Sequence, residues 1–162
     1  MNDPLTHFDP EGAAHMVKIT AKQESPRLAV ARANVRMATE TLARIEAGSV
    51  GKGDVLGVAR LAGIGGAKLT ATMIPLCHPV RITGVELSFE IDRELPGVVV
   101  TAQVQAHDRT GPDMEAMVAV TTAALTIYDM CKAMDRGMTI EQVMLIEKSG
   151  GKSGHWSRSS QP

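Results

Sequence analysis

Ile82-Thr83-Gly84-Val85-Glu86-Leu87-Ser88-Phe89-Glu90-Ile91 carries an apolar residue at every second position through Val85, Leu87, Phe89 and Ile91. Val98-Val99-Val100-Thr101-Ala102-Gln103-Val104-Gln105-Ala106 repeats the pattern through Val98, Val100, Ala102 and Val104. Period-two alternation marks a strand with one buried face. Pro96-Gly97 supplies a turn between the runs, so they form an antiparallel hairpin. Asp113 to Met134 follows as the longest helix, closed by Gly137, and Thr139 to Glu147 as a final strand. Hairpin strands mixed with helices predict an α+β sandwich, with the helices on one face of an antiparallel sheet.

Upstream, Val55 to Thr72 predicts a helix interrupted at Gly63, Gly65 and Gly66, with Asp54 able to cap its start. A shorter helix is expected between an N-cap at Thr39 and Gly48, with Leu42 and Ile45 on one face. Arg27 to Met37 stays open: Leu28, Val30 and Val35 favour a strand, whereas the alanines permit a helix. His15 to Thr20 alternates and is expected to be a short strand. Residues 1–11 are expected to be a flexible arm, 12–154 a single α+β domain, and 155–162 a disordered tail.

Composition limits the function. Of 162 residues 44% are hydrophobic but only 2% aromatic: Phe8, Phe89, Tyr128 and Trp156. The core must therefore be Val, Leu, Ile, Met and Ala, which counts against modules that stack bases on aromatic platforms. Lys plus Arg number 17 against 18 Asp plus Glu, so the basic excess of a duplex-binding protein is missing. Cys77 and Cys131 form no CxxC pair and are expected to be free thiols in a reducing compartment. The amino-terminal residues hold no apolar run, and no stretch reaches 18 apolar residues. These features point to the cytoplasm, with neither a membrane nor a nucleic acid polymer as partner.

The long helix carries the densest chemistry. At 100° per residue, Thr122, Thr126 and Asp129 lie toward the face of Glu115, and Lys132 follows one turn on. So thin a polar stripe implies a helix covered on most sides, with another subunit as one candidate cover. Asp129 and Lys132 at i, i+3 can pair, and a covered carboxylate–ammonium pair can serve as acid and base. Glu115 and Asp129 are roughly 21 Å apart at 1.5 Å per residue. Either they hold opposite ends of a long ligand, or they belong to different sites shared between subunits.

Pro75 and Pro79 restrict the loop holding Leu76, Cys77 and His78. A lone Cys-His step lacks the spacing of a zinc site, so no metal site is expected; His78 suits phosphate binding or proton transfer. Gly151-Lys152-Ser153 matches only the end of a Walker A loop, and Gly63 to Lys68 lacks the last glycine of a dinucleotide fingerprint. What survives is weaker: the glycine–lysine stretches at 51–54 and 148–154 can present N–H groups and ammonium heads to phosphates.

Leu5-Thr6-His7, His15-Met16-Val17, Lys52-Gly53-Asp54-Val55, Ile74-Pro75-Leu76-Cys77-His78-Pro79, Thr110-Gly111 and Met114-Glu115-Ala116 occur in this order. Ala123-Ala124-Leu125-Thr126-Ile127-Tyr128-Asp129-Met130-Cys131-Lys132-Ala133 and Lys148-Ser149-Gly150-Gly151-Lys152-Ser153-Gly154 follow. The set resembles the cyclic pyranopterin monophosphate synthase family, MoaC, of molybdenum cofactor biosynthesis, from Leu5 to about Gly154. The resemblance implies a ferredoxin-like α+β fold and a homohexamer, a trimer of dimers with sites between subunits. It implies conversion of 3′,8-cyclo-7,8-dihydroguanosine 5′-triphosphate, a GTP-derived small molecule, to cyclic pyranopterin monophosphate with release of pyrophosphate.

By position, the family's acid/base aspartate falls on Asp129 and its essential lysines on Lys132 and Lys52. Substrate binding falls on Leu76, Cys77, His78, Met114 and Glu115, and Lys148 lies where a lysine meets the polyphosphate. Lys152 and Arg27 match family positions whose roles the resemblance leaves open. No cofactor is firmly implied; a divalent cation accompanying the triphosphate is the one candidate. Two positions depart from the family pattern: Asp113 stands where Glu is usual, and Lys18-Ile19-Thr20 where Asp-Val-Ser is usual. The alternative function is a catalytically silent nucleotide-binding or assembly subunit, which would have no need to keep Asp129, Lys132, Lys52 and His78 together.

Overall fold

The alanines of Ser25–Arg36 (β1) decide the architecture. The segment is a strand, and Ala29, Ala31, Ala33 and Val35 form its buried face; Leu28 and Val30 point to the other side and are only half-buried. β1 lies in the middle of the sheet, where a flat row of methyl groups lets a helix lie close. That helix is Asp113–Cys131 (α3), which contributes its own alanines 116, 119, 123 and 124 to the core. It ends three residues before Met134, and Met134 is already in the turn that follows.

The expected hairpin is present as Ile82–Asp92 (β2) and Gly97–Asp108 (β3). β3 pairs in register with β2 on one side and with β1 on the other, so the core forms rows across three strands. One row is Ile91–Val98–Val35, the next Phe89–Val100–Ala33, then Leu87–Ala102–Ala31 and Val85–Val104–Ala29. Thr139–Ser149 (β4) covers the other edge of β1, and every pairing is antiparallel. The order β2-β3-β1-β4 is that of a β-α-β-β-α-β ferredoxin-like unit.

His155–Ser157 (β5) extends the sheet by pairing with Glu147–Ser149. The expectation of disorder from residue 155 therefore fails at its first residues, because the exposed edge of β4 offers free backbone groups to pair with. The computed structural model describes residues 11–152 and 154–158. Residues 1–10 of the expected arm at 1–11, with Leu5-Thr6-His7, and residues 159–162 of the expected tail at 155–162 lie outside the described residues.

Thr39–Glu46 (α1) and Val55–Met73 (α2) precede the hairpin. Three expectations change here. His15 to Thr20 forms no strand; only Ala14 makes an isolated bridge. Thr39 does not cap α1: it is the first helical residue, Ala38 holds the cap position, and no side chain of the helix's own caps it. α2 runs unbroken through its glycines. Gly63 and Gly66 are close-approach points rather than breaks, and Gly65 faces open space. A Cβ on Gly63 would stand 3.0 Å from the Ala119 carbonyl oxygen and strike the Leu87 side chain, and one on Gly66 would stand 2.5 Å from Thr122 Oγ1. Asp54 does cap α2, accepting from the Gly57 N–H at 2.9 Å.

α2 and α3 thus pack on one face of the sheet and against each other. α3 is long and apolar enough by composition to cross a bilayer, but more than half of it is buried within the fold. Both cysteines are free, Cys131 buried and Cys77 half-buried.

Candidate active site

The amino-terminal end of α3 holds one cluster. Glu115 is only 2% exposed, yet its Oε2 has no hydrogen-bond partner. Burial pushes its carboxyl up to about 7, the negative charges of Asp113 and Asp108 add to the rise, and a backbone N–H partly opposes it. Glu115 also reaches Cys77 electrostatically; burial chiefly, and then that carboxylate, raise the Cys77 thiol. The loop after α2 therefore lies against the start of α3, with Leu76, Cys77 and His78 half-buried in it and Met114 exposed beside Glu115.

Lys148 reaches the same end from β4. Its Nζ donates to Asp113 Oδ2 at 2.7 Å. A β-bulge puts it there. Val30 pairs with Glu147 but Ala31 with Leu145, so Ile146 is an extra residue. The extra residue shifts the alternation, and Lys148 falls opposite Ala29 on the helix-facing side.

Arg27, on β1, braces the loops around this cluster. Its guanidinium donates to three backbone carbonyls: Asp108 at 3.2 Å, Arg109 at 3.1 Å and Gly150 at 3.1 Å. Gly150 and Gly151 have φ of 105° and 68°, and a Cβ on Gly151 would run into the Arg27 guanidinium. Only glycine lets the 150–151 backbone take this left-handed path against Arg27.

Between these loops lies a cavity of about 670 Å³. Lys22, Arg27, Arg109, Lys148 and Lys152 line it, together with Asp113, Glu24, whose carboxylate stands 3.9 Å from Arg109 Nε, and Gly150–Gly151. Ser25 Oγ, Arg109 Nε and Asp113 Oδ1, all from lining residues, are buried without a hydrogen bond. Buried polar atoms are normally paired; a bound anion would supply a partner for Arg109 Nε and Ser25 Oγ, whereas Asp113 Oδ1 calls for a donor. Five cations and a glycine turn suit a polyphosphate. Leu76, Cys77, His78, Met114 and Glu115 are not part of the lining itself.

The other end of α3 holds the second cluster. Lys132 Nζ donates to Asp129 Oδ1 at 2.7 Å; Lys52 Nζ stands 3.5 Å from Oδ2 and donates to the Asp129 backbone carbonyl at 2.8 Å. The hydrogen bond and charge of Lys132, then Lys52, hold the Asp129 carboxyl below the ordinary aspartate range, and Asp129 raises Lys132 in return. Asp129 is thus a carboxylate between two ammonium groups at neutral pH. The expected pair forms, but in the single chain it is not covered: the Asp129 side chain is 60% exposed.

The anticipated residues therefore fall into two groups. Asp129, Lys132 and Lys52 meet at the carboxyl-terminal end of α3. Glu115, Met114, Cys77, Lys148 and Arg27 gather at its amino-terminal end. α2 runs antiparallel to α3 and ties the groups together, since Lys52 precedes its start and Cys77 follows its end. Residue-type reasoning passed over Lys22, Arg109 and the pairing of Asp113 with Lys148, because isolated surface charges carry no spacing signal. Thr110-Gly111 was the one nearby string that could have pointed to Arg109.

A model of the MoaC family matches residues 16–151. The chain is also 53% identical over 156 residues to a protein of Heliobacterium modesticaldum named cyclic pyranopterin monophosphate synthase, covering 96% of this chain and 98% of that one.

Proposed function

This chain belongs to the MoaC family, and on that premise we propose that it is a cyclic pyranopterin monophosphate synthase of molybdenum cofactor biosynthesis. It converts 3′,8-cyclo-7,8-dihydroguanosine 5′-triphosphate to cyclic pyranopterin monophosphate and releases pyrophosphate. The observation that carries this is the cation-lined cavity with its unpaired buried polar atoms, set beside a buried carboxylic acid. It offers charge for a triphosphate and a hydrogen-bonding carboxyl for a guanine-derived ring.

The residues divide the work. Lys148, Arg109, Lys22 and Lys152 meet phosphate oxygens and stabilise the charge that develops as pyrophosphate leaves. Glu115 meets the polar edge of the ring system, with Met114, Leu76, Cys77 and His78 around it. Asp129, held ionised by its lysines, takes a proton from the reacting ring, and Lys132 or Lys52 supplies one. A divalent cation accompanying the triphosphate would use phosphate oxygens more than protein ligands; among the described residues no group of three His, Cys, Asp or Glu is placed to hold one.

One chain cannot bring both groups to one reacting atom across roughly 21 Å of helix. The complete site therefore joins the amino-terminal end of α3 in one copy to the carboxyl-terminal end in another, within a homohexamer in the cytoplasm. The apolar side of the helical layer supports such contacts: Val58, Leu61, Leu69 and Met73 on α2 and Leu125 on α3 are all exposed. The test is incubation of the chain with the cyclised nucleotide and mass detection of the cyclic phosphate pterin and pyrophosphate. Binding without product at high enzyme concentration would identify a silent nucleotide-binding subunit instead.

A further inference from the structure

Asp135 stands just past α3, within two turns of chain from Asp129, and its carboxylate is committed in three directions. Oδ2 accepts from the Ala38 backbone N–H at 2.8 Å and from Thr41 Oγ1 at 3.4 Å. Oδ1 accepts from the Gly137 N–H at 2.9 Å. The first bond matters most, because α1 has no cap of its own. The first N–H groups of a helix lack intrahelical partners, and α1 has only 8 residues, too few to be stable alone. Its start is thus fastened to the end of α3 by a residue 97 positions away.

The other end of α1 runs directly into the loop that carries Lys52. That loop is short and internally bonded: Ser49 N–H donates to Arg44 O at 3.0 Å, and Gly53 N–H to Val50 O at 2.9 Å. Val50 is buried in the core. α1 and its loop thus form one piece, and side chains tie that piece to the end of α3 at its start, its middle and its loop: Asp135 on Ala38, Arg44 Nη1 on Met134 Sδ at 3.7 Å, and Lys52 on the Asp129 carbonyl and carboxylate. Burial chiefly, and then the Asp135 carboxylate, raises the Cys131 thiol, and Lys52 lowers it, so both attachments lie near the same helix end.

We propose that Asp135 is a positioning residue: by clamping the start of α1 to the end of α3 it sets where Lys52 meets Asp129. This rests on the role given above to Lys52 and Asp129. Asp135 itself touches no reacting group and acts through the helix it holds.

The experiment separates positioning from mere helix capping. Asp135→Ala removes the clamp. Ala38→Asp in the same chain restores a cap to α1 from the helix's own cap position, whose extended backbone (φ −63°, ψ 147°) suits a capping side chain, but it does not rejoin α1 to α3. Steady-state kinetics and thermal unfolding are measured for Asp135→Ala, Ala38→Asp/Asp135→Ala, Asp135→Asn and Lys52→Ala. The expected result is a kcat at least 10-fold lower in Asp135→Ala with KM within about twofold of the parent. The double variant regains melting temperature without regaining kcat, and Asp135→Asn, which keeps an acceptor oxygen, regains most of it. Recovery of kcat in the double variant, or full kcat in Asp135→Ala, would overturn the inference. If Asp135→Ala does not fold, the recapped double variant decides alone. Full turnover in Lys52→Ala would instead overturn the role of Lys52, and the inference with it.

Discussion

Glu115→Gln gives a prediction whose size follows from burial. The Glu115 carboxyl rises from 4.5 to about 7 because folding removes it from water beside Asp113 and Asp108. Between those two values the native state holds a proton that the unfolded chain has released. Unfolding stability therefore falls as pH rises from about 4.5 to about 7, and stays low above it. At about 1.4 kcal/mol per unit, the ionised carboxyl costs the folded state roughly 3 kcal/mol at pH 8 and almost nothing at pH 4.5. Gln carries no such charge. Relative to the parent, Glu115→Gln should gain roughly 3 kcal/mol between pH 4.5 and pH 8, on top of any constant offset from its amide. For a chain of this size that is about 6–12 °C in melting temperature. The assay is thermal or urea unfolding of both proteins from pH 4.5 to 8 at one protein concentration, since assembly would shift both transitions. A difference between the two that does not change with pH would refute the reasoning.

The remaining predictions concern the site and the packing. Asp129→Asn and Lys52→Ala should leave the fold intact, because both side chains are exposed, and should abolish pyrophosphate release. If sites are shared between copies, mixing inactive Asp129→Asn with a Glu115 variant of low activity, under conditions that exchange subunits, should restore turnover to a fraction of the sites; mixtures no more active than their parts would argue for sites within one chain. Arg27→Lys keeps the charge but cannot bridge three carbonyls, so KM for the triphosphate substrate should rise severalfold, read from initial rates. Gly66→Val forces a methyl group into Thr122 and should lower stability by roughly 1–3 kcal/mol in urea unfolding.

Strong periodic signals were legible and local ambiguities were not. The hairpin at 82–106 declared itself because a sheet with one buried face demands alternation, and the structure pairs those two runs with each other and the second of them with β1. Asp54 was legible as a cap because capping is a contact within one turn. β1 was not, because alanine suits either helix or strand; its place as the central strand depends on β3 and β4 flanking it. The glycines of α2 looked like breaks, since in isolation glycine weakens a helix. Against Leu87, Ala119 and Thr122, Gly63 and Gly66 are what close packing needs. Thr39 looked like a cap, yet the carboxylate that serves α1 comes from Asp135, far along the chain.

The sequence by itself determined the α+β class, the helix that carries Glu115 and Asp129, and the family, because each rests on local period or on ordered strings of residues. It also determined that Asp129, Lys132 and Glu115 could not share one reacting atom within a chain, since helix rise is fixed. Tertiary structure alone decided which charges meet. Lys148 reaches Asp113 only because one extra residue in β4 turns it to the helix side of the sheet. Arg27 joins two loops more than 80 residues from it in sequence. A bulge and a long-range bridge are settled by the register of neighbouring strands, and register is a property of the assembled sheet, not of any one segment.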